Sequence, residues 1–107
     1  MPLIVCSPST KNFISGEKFI VNNPPTEDIL SLSGKYNDVI AVGGGAVIDT
    51  AKILSSTPIT CFPTTAAGAT ATSHSVYWDN GIKRNFHSYK PKITNFEPKF
   101  IRSLPEN

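Results

Sequence analysis

Long apolar runs are missing from this chain. No stretch approaches the roughly 18 residues that a membrane-crossing helix needs, and no basic start followed by an apolar run marks a secretory leader. The expectation is a cytoplasmic protein with no membrane partner. Cysteine is scarce: Cys6 and Cys61 both sit inside apolar runs (LIVC and ITCF). That setting suits buried free thiols of a reducing compartment and argues against a disulfide or a metal pair. Histidine is scarce too. His74 and His87 have no partner at ligand spacing, so no metal ligand is assigned within the chain. Charge of either sign is nearly balanced, ten Lys and Arg against eight Asp and Glu, and a net +2 is too mild to argue for nucleic acid or a membrane surface.

What the chain does have is the pattern of one small α/β unit. Its 107 residues with 39% apolar and 17% charged side chains are ordinary for a single globular domain, expected to span residues 1–107. A core that small leaves little surplus stability, which makes a partner or a bound ligand a natural source of more. Leu3-Ile4-Val5-Cys6, Phe19-Ile20-Val21, Asp38-Val39-Ile40-Ala41-Val42 and Ile59-Thr60-Cys61-Phe62 are short, rich in β-branched residues and almost unbroken. Such runs suit strands covered on both faces of a parallel sheet. Between them, Thr26 is placed to cap a helix that opens with Glu27 and Asp28 and stops at Gly34. Val47, Ile48, Ala51 and Leu54 set an apolar stripe on a second helix.

The link from Cys6 to Phe19 is twelve residues, near the minimum for a parallel crossover; Ser9 as cap and Gly16 as stop leave room for about two helical turns. The crossover is therefore minimal or not helical. Later, Asp79-Asn80-Gly81 separates Ser75–Trp78 from Ile82–Phe86, and Asn-Gly predicts a β-hairpin. Pro63 to Ser75 holds almost no large side chain and reads as a functional loop.

The segment AVGGGAVIDTAK, residues 41–52, carries the strongest functional signal. A strand ending in glycines that lead into a helix lets backbone N–H groups and the helix dipole face an anion. The bland reading is a tight turn in which glycine only relieves packing. The spacing is not GxGxxG, so an ordinary Rossmann fingerprint does not apply.

With Asp49, Ala51 and Lys52 after Gly43-Gly44-Gly45, and a strand into Pro63-Thr64-Thr65, the chain resembles the iron-containing alcohol dehydrogenase superfamily, including its glycerol dehydrogenase-like members. That family shows GGGSxxDxAK and PTTxGTGSE. Here Ala46 replaces the serine, and the second motif continues as AAGATA, with Gly68 one place late and Ala71 in place of the acid. Asn23-Pro24-Pro25-Thr26 is similar to the family's PNPT, and Glu97-Pro98 through Ser103-Leu104-Pro105 to its DPxxxxSLP segment.

The resemblance implies a small Rossmann-like parallel sheet with flanking helices and a hairpin, the family's N-terminal dinucleotide-binding half. The helical metal-binding half would follow residue 107, as a missing or separate partner, and a homo-oligomer is compatible with this. The implied cofactor is NAD or NADP, and the implied chemistry is hydride transfer between an alcohol and a carbonyl, inactive without the metal domain. Gly43, Gly44, Gly45 and Ala46 would cradle the pyrophosphate, with Thr64 and Thr65 donating hydroxyls along the cofactor. Asp49 would face the cofactor site; otherwise it and Lys52 form a helix ion pair. Lys83, or alternatively Arg84, would contact the cofactor from the hairpin. Ser7 stands where many members carry an acid that holds the adenosine ribose, which leaves NADP open because serine does not repel its extra phosphate.

Two other readings stay beside this one. The altered AAGATA loop fits a non-catalytic nucleotide-binding or regulatory module. Six basic residues lie from Lys83 to Arg102 with Glu97 the one acid among them, and Tyr77, Trp78, Phe86 and Tyr89 interleave with Lys83, Arg84, Lys90 and Lys92, a pattern that also suits stacking on single-stranded nucleic acid. Hairpin packing is the preferred account of those aromatics.

Overall fold

The computed structural model describes residues 2–12, 15–63, 73–88 and 91–93. Among them the strands run β1 (Leu3–Cys6), β2 (Glu17–Ile20), β3 (Val39–Gly43), β4 (Thr60–Pro63), β5 (His74–Asp79), β6 (Ile82–His87) and β7 (Lys92–Ile93). A 3-10 helix covers Glu27–Leu32 and one α-helix, α1, covers Gly45–Leu54. Five strands form a parallel sheet in the order β2-β1-β3-β4-β7, while β5 and β6 pair antiparallel on their own. The α/β class and the separate hairpin are as the sequence predicts. β7, two residues long, carries no sequence signal and is held by its register against Thr60 and Cys61.

Both faces of the central strands β1 and β3 are buried, which is why they are apolar without alternation, whereas the edge strand β2 is exposed or half-buried and, unlike the expectation for the Phe19-Ile20-Val21 run, is not covered on both faces. Leu3, Val5, Val39, Ala41 and Cys61 pack with Val47, Ile48, Ala51 and Leu54 of α1, the stripe expected of that helix. Ile4, Cys6 and Val42 form the cluster on the other face. Cys6 and Cys61 are buried free thiols, and burial raises the pKa of each. Among the described residues no helix is long and apolar enough to cross a membrane.

One expectation needs correction, and one left open is decided. The segment after Thr26 is a six-residue 3-10 helix, and the Thr26 side chain makes no capping hydrogen bond. Its ends are pinned: Thr26 forms a bridge with Trp78, and the Gly34 N–H donates to the carbonyl of Ile53. The tighter helix rises about 2.0 Å per residue against 1.5 Å, and so spans a fixed gap with fewer residues. The Gly34 bond and the Tyr36 N–H on Leu54 also satisfy carbonyls at the open end of α1. In the first crossover, residues 8–12 are turns, with the Thr10 N–H on the Ser7 carbonyl, so no helix starts at Ser9.

The hairpin turn follows its chemistry. Asn80 and Gly81 have φ of 50° and 79°, the paired positive values that Asn-Gly accepts at low cost. Gly43 is required for another reason: a β-carbon there would lie 2.7 Å from Cγ2 of Val47. Gly43→Ala is expected to cost about 1–3 kcal/mol of stability by overpacking the β3–α1 turn, read as a lowered urea midpoint with an unchanged slope.

Candidate functional site

The sheet order sets where a ligand would sit. β1 is flanked by β2 on one side and β3 on the other, so successive crossovers leave in opposite directions. In open parallel sheets the crevice at such a switch point, beyond the carboxyl ends of the strands, is the usual ligand site. Ser7 follows β1 there, and Gly44 follows β3. The two ends are tied together: the Thr10 hydroxyl donates to the Val42 carbonyl at 2.8 Å, and the Ser7 N–H donates to Thr10 Oγ1 at 3.0 Å. Thr10 is 3% exposed, and this latch holds the half-buried Ser7 beside the glycine turn, its hydroxyl 2.9 Å from that of Ser9.

Gly44 is the N-cap of α1, and no side chain caps the helix. Its carbonyl accepts from the Ile48 N–H at 3.0 Å, which closes the first turn. Gly45 and Ala46 follow at the dipole's positive end. They line a cleft of about 310 Å³ together with Pro24, Asp49, Val76, Trp78 and Lys83. Four of the sequence-predicted residues, Gly45, Ala46, Asp49 and Lys83, therefore share one wall, with Gly43 and Gly44 forming the turn just before it. Ser7 lies outside that cleft. Thr64 and Thr65 fall outside the described residues; Pro63 before them sits in register with Gly43.

Hairpin register separates Lys83 from Arg84. Lys83 stands opposite Trp78 on the cleft side, whereas Arg84 stands opposite Tyr77 on the other face, where its Nε donates to Asp79 Oδ2 at 2.9 Å. That pair is solvent-exposed and worth little. His74 and His87 also stand directly opposite each other, although the sequence places them far apart. Among the described residues no three His, Cys, Asp or Glu are grouped to hold a metal.

Asp49 and Lys52 both reach β5. The Asp49 carboxylate accepts from the Val76 N–H, and Lys52 Nζ donates to the His74 carbonyl at 3.1 Å. The Trp78 N–H donates to the Pro25 carbonyl at 2.9 Å. Residues 74, 76 and 78 present their backbone groups on the edge of β5 that faces away from β6, so the helix and the Pro25 loop satisfy that edge. Lys52 is 0% exposed, and burial lowers its pKa.

Burial lifts the Asp49 carboxyl above its ordinary 3.8, although Lys52, the Val76 N–H, His74 and Lys83 pull it down. The folded chain thus holds this proton more tightly than the unfolded chain. The resulting stabilisation is fully present below pH 3.8 and is lost as pH rises through the raised value. Asp49→Asn is expected to flatten that decline, measured by urea unfolding across a pH series.

Pro24, Val76 and Trp78 also line the cleft, and no motif in the sequence marks them as site residues. Counting outward from the Asn-Gly turn pairs Trp78 with Lys83, and that was the available signal.

No family model matches the chain. Maleylacetate reductase of Pseudomonas knackmussii is 33% identical over 81 residues, covering 71% of this chain and 23% of the reductase. The iron-containing alcohol dehydrogenase of Thermococcus thioreducens superposes with a TM-score of 0.71 at 20% identity, over 97% of this chain and 41% of that one. Maleylacetate reductase of Rhizobium sp. strain MTP-10005 gives 0.73 at 19% identity, over 97% and 36%. The chain thus spans about a quarter of the curated relatives it matches. It shares sequence with maleylacetate reductases and carries the fold of the N-terminal part of the iron-containing alcohol dehydrogenase superfamily, as the AVGGGAVIDTAK segment implied.

Proposed function

We propose that this chain binds NAD or NADP with the pyrophosphate on the Gly44-Gly45-Ala46 turn, as the nucleotide-holding part of an oxidoreductase acting between alcohol and carbonyl. The observation that carries this is the α1 N-terminus: it is capped by glycine, lacks any side-chain cap and opens on a cleft that holds Lys83. Orphan N–H groups, the dipole and one ammonium are the donor set a diphosphate needs.

When bound, the nicotinamide carries the hydride. What the chain contributes is binding and orientation. Gly45 and Ala46 N–H groups fix the phosphates, and Lys83 offsets their charge. Asp49 lines the same cleft, but burial disfavours its anion and its carboxylate is already engaged by Val76. Ser7, latched at the end of β1, would meet the adenosine ribose without a charge that excludes the NADP phosphate. Thr64 and Thr65 would add hydroxyl donors.

The test is titration of the chain with NADH and NADPH, followed by nucleotide fluorescence, beside Gly44→Val. Saturable binding by wild type that the variant loses supports the reading. No saturable binding, or equal binding by the variant, sinks it. A non-catalytic nucleotide-binding module would give the same binding with no alcohol-dependent reduction of the nucleotide even when a metal-binding helical domain is supplied.

A further inference from the structure

We infer that Trp78 is the surface on which this cleft stacks a heteroaromatic ring, one of the two rings of the dinucleotide. The inference rests on the reading of the cleft as a dinucleotide site and adds to it a residue that the glycine motif does not contain.

Three observations carry it. Trp78 is one of three large hydrophobic residues left exposed among those described, at 38%, and it lines the cleft that begins at Gly45 and Ala46. An indole that only filled a hairpin core would be covered on both faces; here part of it is open beside a phosphate cradle. Its backbone is also held from two sides, by the Trp78 N–H on the Pro25 carbonyl at 2.9 Å and by the bridge to Thr26. A backbone held before binding leaves only the side-chain torsions to be fixed when a ligand lands on the ring.

Lys83 provides the third observation. It is the cross-strand partner of Trp78. The outward Trp78 N–H makes theirs a non-hydrogen-bonded pair, the closer kind, so the two side chains share one face and line the same cleft. A ligand that is a ring joined to phosphate meets both at once: the ring on Trp78, the phosphate between Lys83 and the helix N–H groups. Pro24 adds apolar wall to the same cleft. A free phosphate would leave the indole unused, and an uncharged aromatic would leave the lysine and the N–H groups unused.

Trp78 is the sole tryptophan, so its emission reports this cleft alone. Wild type would be titrated with ADP-ribose, with nicotinamide mononucleotide and with inorganic pyrophosphate, while calorimetry with NADPH measures binding independently. Saturable quenching by at least one ring-bearing ligand, absent with pyrophosphate, supports the inference and names the ring. Trp78→Ala is expected to weaken NADPH binding about five- to 150-fold, and Trp78→Phe to restore most of it. A purely structural tryptophan would instead lower the urea midpoint without altering NADPH affinity. Binding of NADPH with unchanged Trp78 emission, or full affinity in Trp78→Ala, overturns the inference and leaves the dinucleotide site standing. No binding heat with wild type overturns both. Should Trp78→Ala fail to fold, wild-type emission and Trp78→Phe still decide.

Discussion

Lys52→Ala is expected to lower the unfolding free energy by about 3–5 kcal/mol, more than any other substitution on α1 that removes a polar group. Lys52 is fully buried, its ammonium donates to the His74 carbonyl, and its own carbonyl accepts from the Ser88 hydroxyl. Alanine removes the packed stem, takes a donor from the part-buried His74 carbonyl, and deprives Asp49 of the cation that most lowers its pKa. For a domain whose total stability is about 5–15 kcal/mol, that is a large share. Lys52→Met separates the causes. It restores stem volume without the donor, so a remaining deficit of about 1–3 kcal/mol measures the unpaired polar groups. Urea unfolding of both variants at pH 7 gives the two figures. If Lys52→Met matches wild type, the ammonium contributes nothing and the docking of β5 is apolar. The α1–β5 contact should also show locally, as faster amide exchange at Val76 in Lys52→Ala.

Gly44→Asp is expected to move stability and binding in opposite directions. Gly44 has φ −89° and ψ −161°, ordinary for any L-residue, and aspartate is among the best N-caps. The substitution should raise helix stability by a few tenths of a kcal/mol to about 1, because its carboxylate takes the free N–H groups and opposes the dipole. Those are the groups a pyrophosphate needs. Dinucleotide affinity should fall by about 100-fold or more, since both donors and charge turn against the ligand. A thermal melt and an NADPH titration read the two effects. A variant that is more stable yet binds as well as wild type would mean that the phosphates lie elsewhere. The glycine would then serve only the turn.

Much of this architecture was legible because it is local. β-Branched runs, the 47/48/51/54 stripe and the Asn-Gly turn each act within a few residues, and the structure follows them. The 3-10 helix was not legible, since its tightness comes from pins at Trp78 and Ile53, both far along the chain. The same holds for the site. The glycine turn could be read from residues 43–46, but the Thr10 latch needs β1 beside β3. The cleft needs the hairpin laid against α1. Asp49 and Lys52 show the limit most clearly. Their spacing announces two side chains on one helix face, yet only the tertiary fold reveals a strand edge as the thing they meet.

That strand edge has a consequence for how such a motif persists in a lineage. Asp49 and Lys52 satisfy Val76 and His74 whether or not a nucleotide is bound. A descendant that lost the ligand would still fold worse without Lys52, so the base would outlive the activity. Gly44 and Trp78 have less such insurance. In a copy drifting away from nucleotide binding, those are the positions expected to change first.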